Sequence, residues 1–371
     1  MRRIIGPCLL ALALVACGDG DGKAAKAGSA SPTPLIAGSM PAASATQASG
    51  PTMPSASRKF RDWLAVCDNT NECAAFGPAS DQTGWIRVAA SPGPNGARSV
   101  SLGVWGDTDA KTGAMSVDID GRRFVARSEQ GSDDFRIAPG DAPALIAMIG
   151  SGKAMSVGAG DAPRMVSLSG AAAAMLWIDE RQGKLQTPAA LVGRGTRPVS
   201  AIPAPPAPPV VTPAPAVSQA GFGDSGQTLP AALEALPAVR ECREEADSDW
   251  VRKEVMSARL DASTELWAVP CFSGAYNIGH DWYLTGPGGR NPRPVQLASA
   301  SGETTTGTIN GGYAANARTL VAFAKGRGPG DCGLAQTWTW TGRAFVLSEE
   351  HEMTECWGVP PDQWPSTWRT R

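Results

Sequence analysis

Trp338-Thr339-Trp340-Thr341-Gly342-Arg343-Ala344-Phe345-Val346-Leu347 decides the fold class. Two runs of aromatic and branched residues flank a short Thr-Gly-Arg turn, the pattern of an antiparallel hairpin. Side chains alternate across a strand, so both indoles fall on one face. Working outward, similar strand signals recur at 255–260, 265–269, 282–284 and 319–324. One helix is expected ahead of them, with Thr228 as cap and Pro230 in its first turn. The region 227–371 therefore reads as β-rich. It carries eight of the 12 tryptophans: Trp250, Trp267, Trp282, Trp338, Trp340, Trp357, Trp364 and Trp368. Large residues fill space in a small core; exposed, they would form a protein or glycan contact surface.

A second β-rich region, 58–195, precedes it. Strand signals lie at 63–66, 85–88, 99–105 and 114–119, and Asp120-Gly121 is a hairpin turn leading to Phe124. Two short helices follow. Asp141 caps the first, with Pro143 in its first turn and Gly150 at its end; the second is Ala-rich and spans 169–181, with Gly183 closing it. Between the two regions, 196–226 is a linker. Its core, Pro203-Ala204-Pro205-Pro206-Ala207-Pro208-Pro209, favours polyproline II geometry and acts as a semi-rigid spacer. The fold class is thus mainly β with a few short helices (α+β), as two small antiparallel β domains joined by a Pro-rich linker.

The N-terminus points to a compartment. Arg2 and Arg3 precede a mostly apolar stretch at 4–16, the shape of a signal peptide. It ends Leu14-Val15-Ala16-Cys17, which resembles the lipobox of bacterial lipoproteins. That resemblance implies cleavage after 16 and acylation of Cys17, a membrane-lipid anchor for the mature chain. Gly18 rather than Asp follows, which by the same resemblance favours the outer over the inner membrane, with the chain facing the periplasm. Residues 17–57 are rich in Ala, Ser, Gly and Pro without apolar periodicity, and read as a disordered tether. No apolar run reaches the roughly 20 residues of a spanning helix. The formal charge of −2 gives no case for nucleic acid.

Export gives the cysteines a meaning. Setting aside Cys8 and Cys17 leaves Cys67, Cys73, Cys242, Cys271, Cys332 and Cys356, an even set that reads as disulfides in an oxidising compartment. Cys67–Cys73 is the natural pair of the first domain. Cys242–Cys271 and Cys332–Cys356 are the working assignment for the second, where the connectivity stays open among the alternatives that sequence permits. There is no Cys-x-x-Cys and there are only two histidines, so neither a metal nor another cofactor is expected.

Several of these residues together are familiar. Phe60-Arg61-Asp62-Trp63, Cys67-Asp68-Asn69-Thr70 and Cys73, then Leu266-Trp267-Ala268-Val269-Pro270-Cys271 and Gly274-Ala275-Tyr276-Asn277, then Trp338-Thr339-Trp340, Gly342, Phe345, Cys356, Trp364 and Arg369 resemble a proteobacterial family catalogued as domain of unknown function 1176. The resemblance covers about 58–371 outside the Pro-rich insert. It implies export and disulfides but no activity. The Ala-rich helix after Leu168-Ser169-Gly170 also resembles invasion-associated locus B proteins, exported β domains.

Catalytic motifs fail on context. Gly223-Asp224-Ser225-Gly226 matches the nucleophile motif of chymotrypsin-like proteases, yet both histidines, His280 and His351, follow it, and it ends a linker. His351-Glu352-Met353-Thr354-Glu355 lacks the second imidazole of a zincin helix and reads as an acidic turn. Gly326-Arg327-Gly328-Pro329-Gly330 lacks the Lys and Ser/Thr of a phosphate loop. Asp133-Asp134 and Glu349-Glu350 read as solvated charges. The candidate recognition surface is therefore Tyr276, Asn277, His280, Trp282, Trp338 and Trp340, where Gly274-Ala275-Tyr276-Asn277 is either a polar recognition loop or a tight turn beside a disulfide. The leading expectation is a non-enzymatic envelope binding module with a protein or glycan partner. The alternatives are a periplasmic inhibitor of a lysozyme or protease, by analogy with other small disulfide domains, and a hydrolase using paired carboxylates.

Overall fold

The run Trp63–Cys67 has no polar side chain to turn toward water, and every residue in it is buried. A strand apolar throughout needs cover on both faces. A computed structural model, which describes residues 53–104, 113–128, 135–158, 163–246 and 248–371, shows both covers. The signal peptide, Cys17, Trp105 and Asp133-Asp134 lie outside the described residues.

The first cover belongs to a ten-stranded antiparallel sheet. Its strands are β1 (Ala56–Phe60), β2 (Trp63–Cys67), β3 (Cys73–Pro78), β4 (Gly84–Ala90), β5 (Arg98–Val104), β6 (Ala114–Ile119), β7 (Arg122–Ser128), β8 (Phe135–Ile137), β9 (Met155–Gly158) and β10 (Arg164–Val166). They lie in the order β1-β2-β3-β4-β5-β8-β7-β6-β9-β10. The sheet curls until Val166 bridges to Ala79 just past β3. Helices α1 (Ala142–Ser151) and α2 (Ala171–Arg181) share its inner core with Trp63, Ala65, Ile86 and Leu102. Asp141 stands at the cap position of α1 without a side-chain capping bond. Gly170 opens α2 with φ +98°, where a Cβ would lie 1.7 Å from the Phe60 carbonyl oxygen. Strand β1 starts at Ala56, inside the expected tether 17–57, and pairs with β2.

The C-terminal region is a sandwich flanked by helices. Three short helices come first: α3 (Ala231–Glu234), α4 (Pro237–Glu245) and α5 (Asp249–Arg252). Strands β11 (Met256–Arg259), β12 (Glu265–Ser273), β13 (Ile278–Gly286) and β14 (Arg290–Pro294) form one sheet, followed by the small hairpin β15 (Leu297–Ala298) and β16 (Thr304–Thr305). Strand β17 (Gly307–Ile309) joins the first sheet by pairing with β13. The facing sheet is β18 (Gly312–Ala314), β19 (Thr319–Lys325), β20 (Gly333–Trp340), β21 (Phe345–Met353) and β22 (Ser366–Arg369). The opening hairpin forms as read, with Trp340 opposite Phe345 and Trp338 opposite Leu347. Leu266, Trp282 and Leu284 meet Leu320, Trp338 and Trp340 between the sheets. Leu233 and Val239 cover the other face of the first sheet, over Trp267 and Tyr283.

Disulfides link Cys67 to Cys73, Cys242 to Cys271 and Cys332 to Cys356. The first closes β2 on β3 at a directly opposed pair. The second ties α4 to β12.

The two β-rich regions share a core. Leu64, Val66, Phe76 and Trp85, on the outer face of β2–β4, pack with Met353, Trp357, Val359 and Trp364. This is the second cover that Trp63–Cys67 requires, and 45–371 form one compact unit. The Pro-rich segment between them is fastened to the C-terminal region: Arg371 N–H donates to Pro209 O (2.9 Å), Val211 N–H to Arg371 O (3.0 Å) and Ala214 N–H to Trp340 O (2.8 Å).

Side-chain amides lock the joins. Asn69 donates to Arg369 O and accepts from Arg369 N–H, both at 2.9 Å. Gln219 does the same to Arg259, at 2.9 and 2.8 Å. Each amide stands in for the edge of a neighbouring strand, exchanging both bonds with one residue. Beside Asn69, the fully buried Asp68 forms an ion pair with Arg369 and accepts from Thr70 N–H and Glu72 N–H. Asn69→Ala would leave both backbone groups of Arg369 without these partners. It should lower unfolding stability by about 1–3 kcal/mol, read as a reduced denaturant midpoint at unchanged m value.

Candidate functional site

Alternation places a polar residue on the inner face at one end of each sheet. On β13 the inward set is His280, Trp282 and Leu284; on β20 it is Leu334, Gln336, Trp338 and Trp340. The tryptophans fill the middle of the sandwich. Toward the other end His280 lies opposite Thr308 on β17. Across from it, Gln336 lies opposite Ala322 on β19 and Glu350 on β21. The alanines Ala322 and Ala324 cannot reach the facing sheet. What remains is a cavity of about 340 Å³ lined by His280, Thr308, Ala322, Leu334, Gln336 and Phe272 among others.

Phe272 forms its rim. A bulge between Pro270 and Phe272 shifts the register of β12 against β13. The ring then lies across Gly279, where a Cβ would come within 2.1 Å of it. Phe272 remains 42% exposed.

Most polar atoms around the cavity have partners. Glu350, buried, accepts from Gln336 Nε2 (2.8 Å), Thr367 Oγ1 (2.7 Å) and Ala300 N–H (3.1 Å). Thr308 Oγ1 accepts the Trp282 indole N–H at 2.7 Å. His280 is the exception: it is 5% exposed and neither ring nitrogen has a hydrogen-bond partner. Burial pulls its pKa down to about 4; the Glu254 backbone opposes this weakly without completing a hydrogen bond of normal geometry. Above that pH the imidazole is neutral and carries one donor and one acceptor. A buried polar group without partners is costly unless something supplies them.

The other sequence candidates separate clearly. Trp282, Trp338 and Trp340 are each 1% exposed and are core, so no recognition surface is built from them: their inward faces meet across the sandwich. Asn277 is a third amide lock, donating to Lys325 O (3.0 Å) and accepting from Lys325 N–H (3.3 Å) and Asn310 Nδ2 (2.9 Å). Gly274-Ala275-Tyr276-Asn277 is a tight turn, closed by Gly274 N–H on Asn277 O at 2.7 Å. Tyr276 is half-exposed on it and only brushes Gly326 O at 3.5 Å. Phe272, Thr308 and Gln336 were not among the sequence candidates. Gln336 does carry a signal, a polar residue at an inward position between Leu334 and Trp338.

Motifs set aside on sequence grounds stay apart from this cavity. Ser225 forms no hydrogen bond with either histidine; His351 contacts Glu349 at 2.9 Å, on β21 rather than on a turn. Arg327, in the glycine-rich loop, pairs with Asp331, which also accepts Gly358 N–H at 2.7 Å. Cys242, Cys271 and Asp281 present ligand-type atoms within 4.8 Å of one another, but the two sulfurs are joined to each other, so they offer no thiolate pair to a metal.

A family model described as protein of unknown function (DUF1176) matches residues 57–371. An uncharacterised protein of Escherichia coli strain K12, YpfG, is 28% identical over 342 residues, covering 85% of this chain and 93% of that protein. No solved structure matches.

The low imidazole pKa sets a pH dependence. As pH falls from about 6.5 toward about 4, the unfolded chain binds a proton that folded His280 does not, so stability is lost; below that window both states bind it and the loss levels off. Across the window the folded protein should lose up to about 3 kcal/mol more than a His280→Gln variant, measured by denaturant unfolding at a series of pH values.

Proposed function

This chain belongs to the DUF1176 family, and we propose that it is a lipid-anchored envelope protein that binds a small molecule between the sheets of its C-terminal sandwich. The observation that carries the reading is His280, buried, neutral and without partners in a cavity of about 340 Å³. That volume lies at the lower end of small-molecule sites, about 300–1,000 Å³. The cavity joins an apolar wall to a few converging polar groups, which is how such sites fix orientation.

Binding rather than catalysis is favoured by the state of the buried carboxylates. Asp179 accepts Leu191, Val192 and Gly193 N–H at 2.6, 3.0 and 3.0 Å. Glu265 accepts Gly288 N–H at 2.9 Å and the Trp267 indole at 3.2 Å. Glu350, Asp331 and Asp68 are engaged as described above. Carboxylates held this way by structural donors are not free to act as an acid and base pair.

Placement in the envelope rests on Leu14-Val15-Ala16-Cys17 and on three disulfides, which suit an oxidising compartment. Among the described residues no helix is long and apolar enough to cross a membrane. We read Cys17 as the acylated residue, with the chain facing the periplasm from the outer membrane. Cys17→Ser should move the protein from the membrane fraction to the soluble envelope fraction with both β-rich regions still folded. Retention of that variant on membranes would overturn the anchor.

The cavity has a direct reporter, because the chain holds only two histidines. Titration with acetamide or 1-propanol, followed by imidazole NMR, should shift the His280 resonances saturably and leave those of His351 in place. Equal, non-saturating shifts at both rings would count against a binding cavity.

A further inference from the structure

The polar groups lining the cavity have a pattern, and it narrows the occupant. Glu350 takes the Gln336 amide N–H at 2.8 Å. A carboxylate only accepts, so the orientation of the amide is fixed and its Oε1 is left as an acceptor. Thr308 Oγ1 already accepts from Trp282, which leaves its own hydrogen to donate. His280 supplies one further donor and one further acceptor. These groups come from three strands, β13, β17 and β20, and alternate in sense.

Of the remaining lining residues only Asp281 is charged, and its carboxylate lies beside the Cys242 and Cys271 sulfurs, on the face of β13 opposite His280; the rest of the wall is uncharged or apolar. No Lys or Arg lines the cavity, so a phosphate or carboxylate would enter without a counter-charge. Leu334, Ala322 and Ala324 form one side, and the partly exposed Phe272 ring forms the rim. An alkyl chain would suit those residues but would leave His280, Thr308 and Gln336 Oε1 unsatisfied. A sugar ring meets both demands. Its hydroxyls each donate and accept, and the C–H groups on the face of the ring are apolar. The volume of about 340 Å³ limits the occupant to one ring.

We infer that the cavity takes one neutral sugar ring, its hydroxyls on His280, Thr308 and Gln336 and a C–H face toward Phe272. This rests on the cavity being a binding site at all, and the test keeps the two apart. The full chain is titrated with D-glucose and N-acetyl-D-glucosamine, then with glucosamine and glucuronate, and the two imidazoles are followed by NMR. A neutral sugar should shift His280 saturably and leave His351 unmoved. Gln336→Leu, near in volume, and Phe272→Ala, at an exposed position, should each raise the apparent Kd by about tenfold or more while thermal unfolding stays cooperative. The inference is overturned if no neutral sugar gives a saturable shift, if glucosamine or glucuronate binds more tightly, or if both folded variants bind as the parent does. Should acetamide or 1-propanol shift His280 while sugars do not, the cavity remains a binding site and the sugar assignment falls. If none of these probes shifts it, both fall.

Discussion

Residue 69 meets residue 369 through two hydrogen bonds of 2.9 Å, beside an ion pair between Asp68 and Arg369. Closing a loop of that length costs on the order of 5 kcal/mol from its logarithmic term alone. Two hydrogen bonds contribute about 1 kcal/mol net apiece and cannot offset it. The shared apolar layer can, since each buried large side chain contributes about 1.5–3 kcal/mol and Leu64, Phe76, Trp85, Met353, Trp357 and Trp364 all belong to it. The apolar layer therefore drives the association, and Asn69 selects its register. With β22 fixed, β21 is paired on both sides, and the sheet carrying Gln336 and Glu350 has a defined position.

Asn69, Gln219 and Asn277 repeat one device at three joins. Each amide exchanges two bonds with the backbone of a single basic residue, Arg369, Arg259 or Lys325. One donor and one acceptor on a planar group match one residue of a strand edge. The device leaves the basic side chain uninvolved, so Arg369 can still reach Asp68. It also helps to bury the polar loop Asp68-Asn69-Thr70-Asn71: Asn69 is directed at the Arg369 backbone across the join, while Asp68 accepts from Thr70 and Glu72 within the loop.

What the sequence disclosed was local. Alternation located most of β2, β4–β6, β11, β12 and β19 and parts of β13, β20 and β21, the helical signals located α1 and α2, and neighbouring cysteines paired as assigned. Helix α4 gave no clear period because Val239 and Cys242 are its only buried residues. Strands of two or three residues, such as β15–β18, are too short to show one. The amide locks and the cavity depend on partners far apart in sequence, and composition carries no trace of them. His280 was singled out for its nearness to Tyr276 and Asn277, which face other tasks; its real companions, Thr308 and Gln336, come from other strands. Three of the candidate aromatics were core because both sheets turn their indoles inward.

The 300-residue separation of the Asn69–Arg369 contact also orders events in time. Strands β2–β4 expose Leu64, Phe76 and Trp85 until the partner layer arrives. A ribosome adds residues one by one, N-terminal first, so the curled sheet can form while its outer face is still uncovered. Its cover includes Trp357 and Trp364, and its lock is residue 369. Contacts this distant slow folding, and here they make a strand synthesised 300 residues later the one that closes the earlier core. Until then Leu64, Phe76 and Trp85 form an apolar face without its cover.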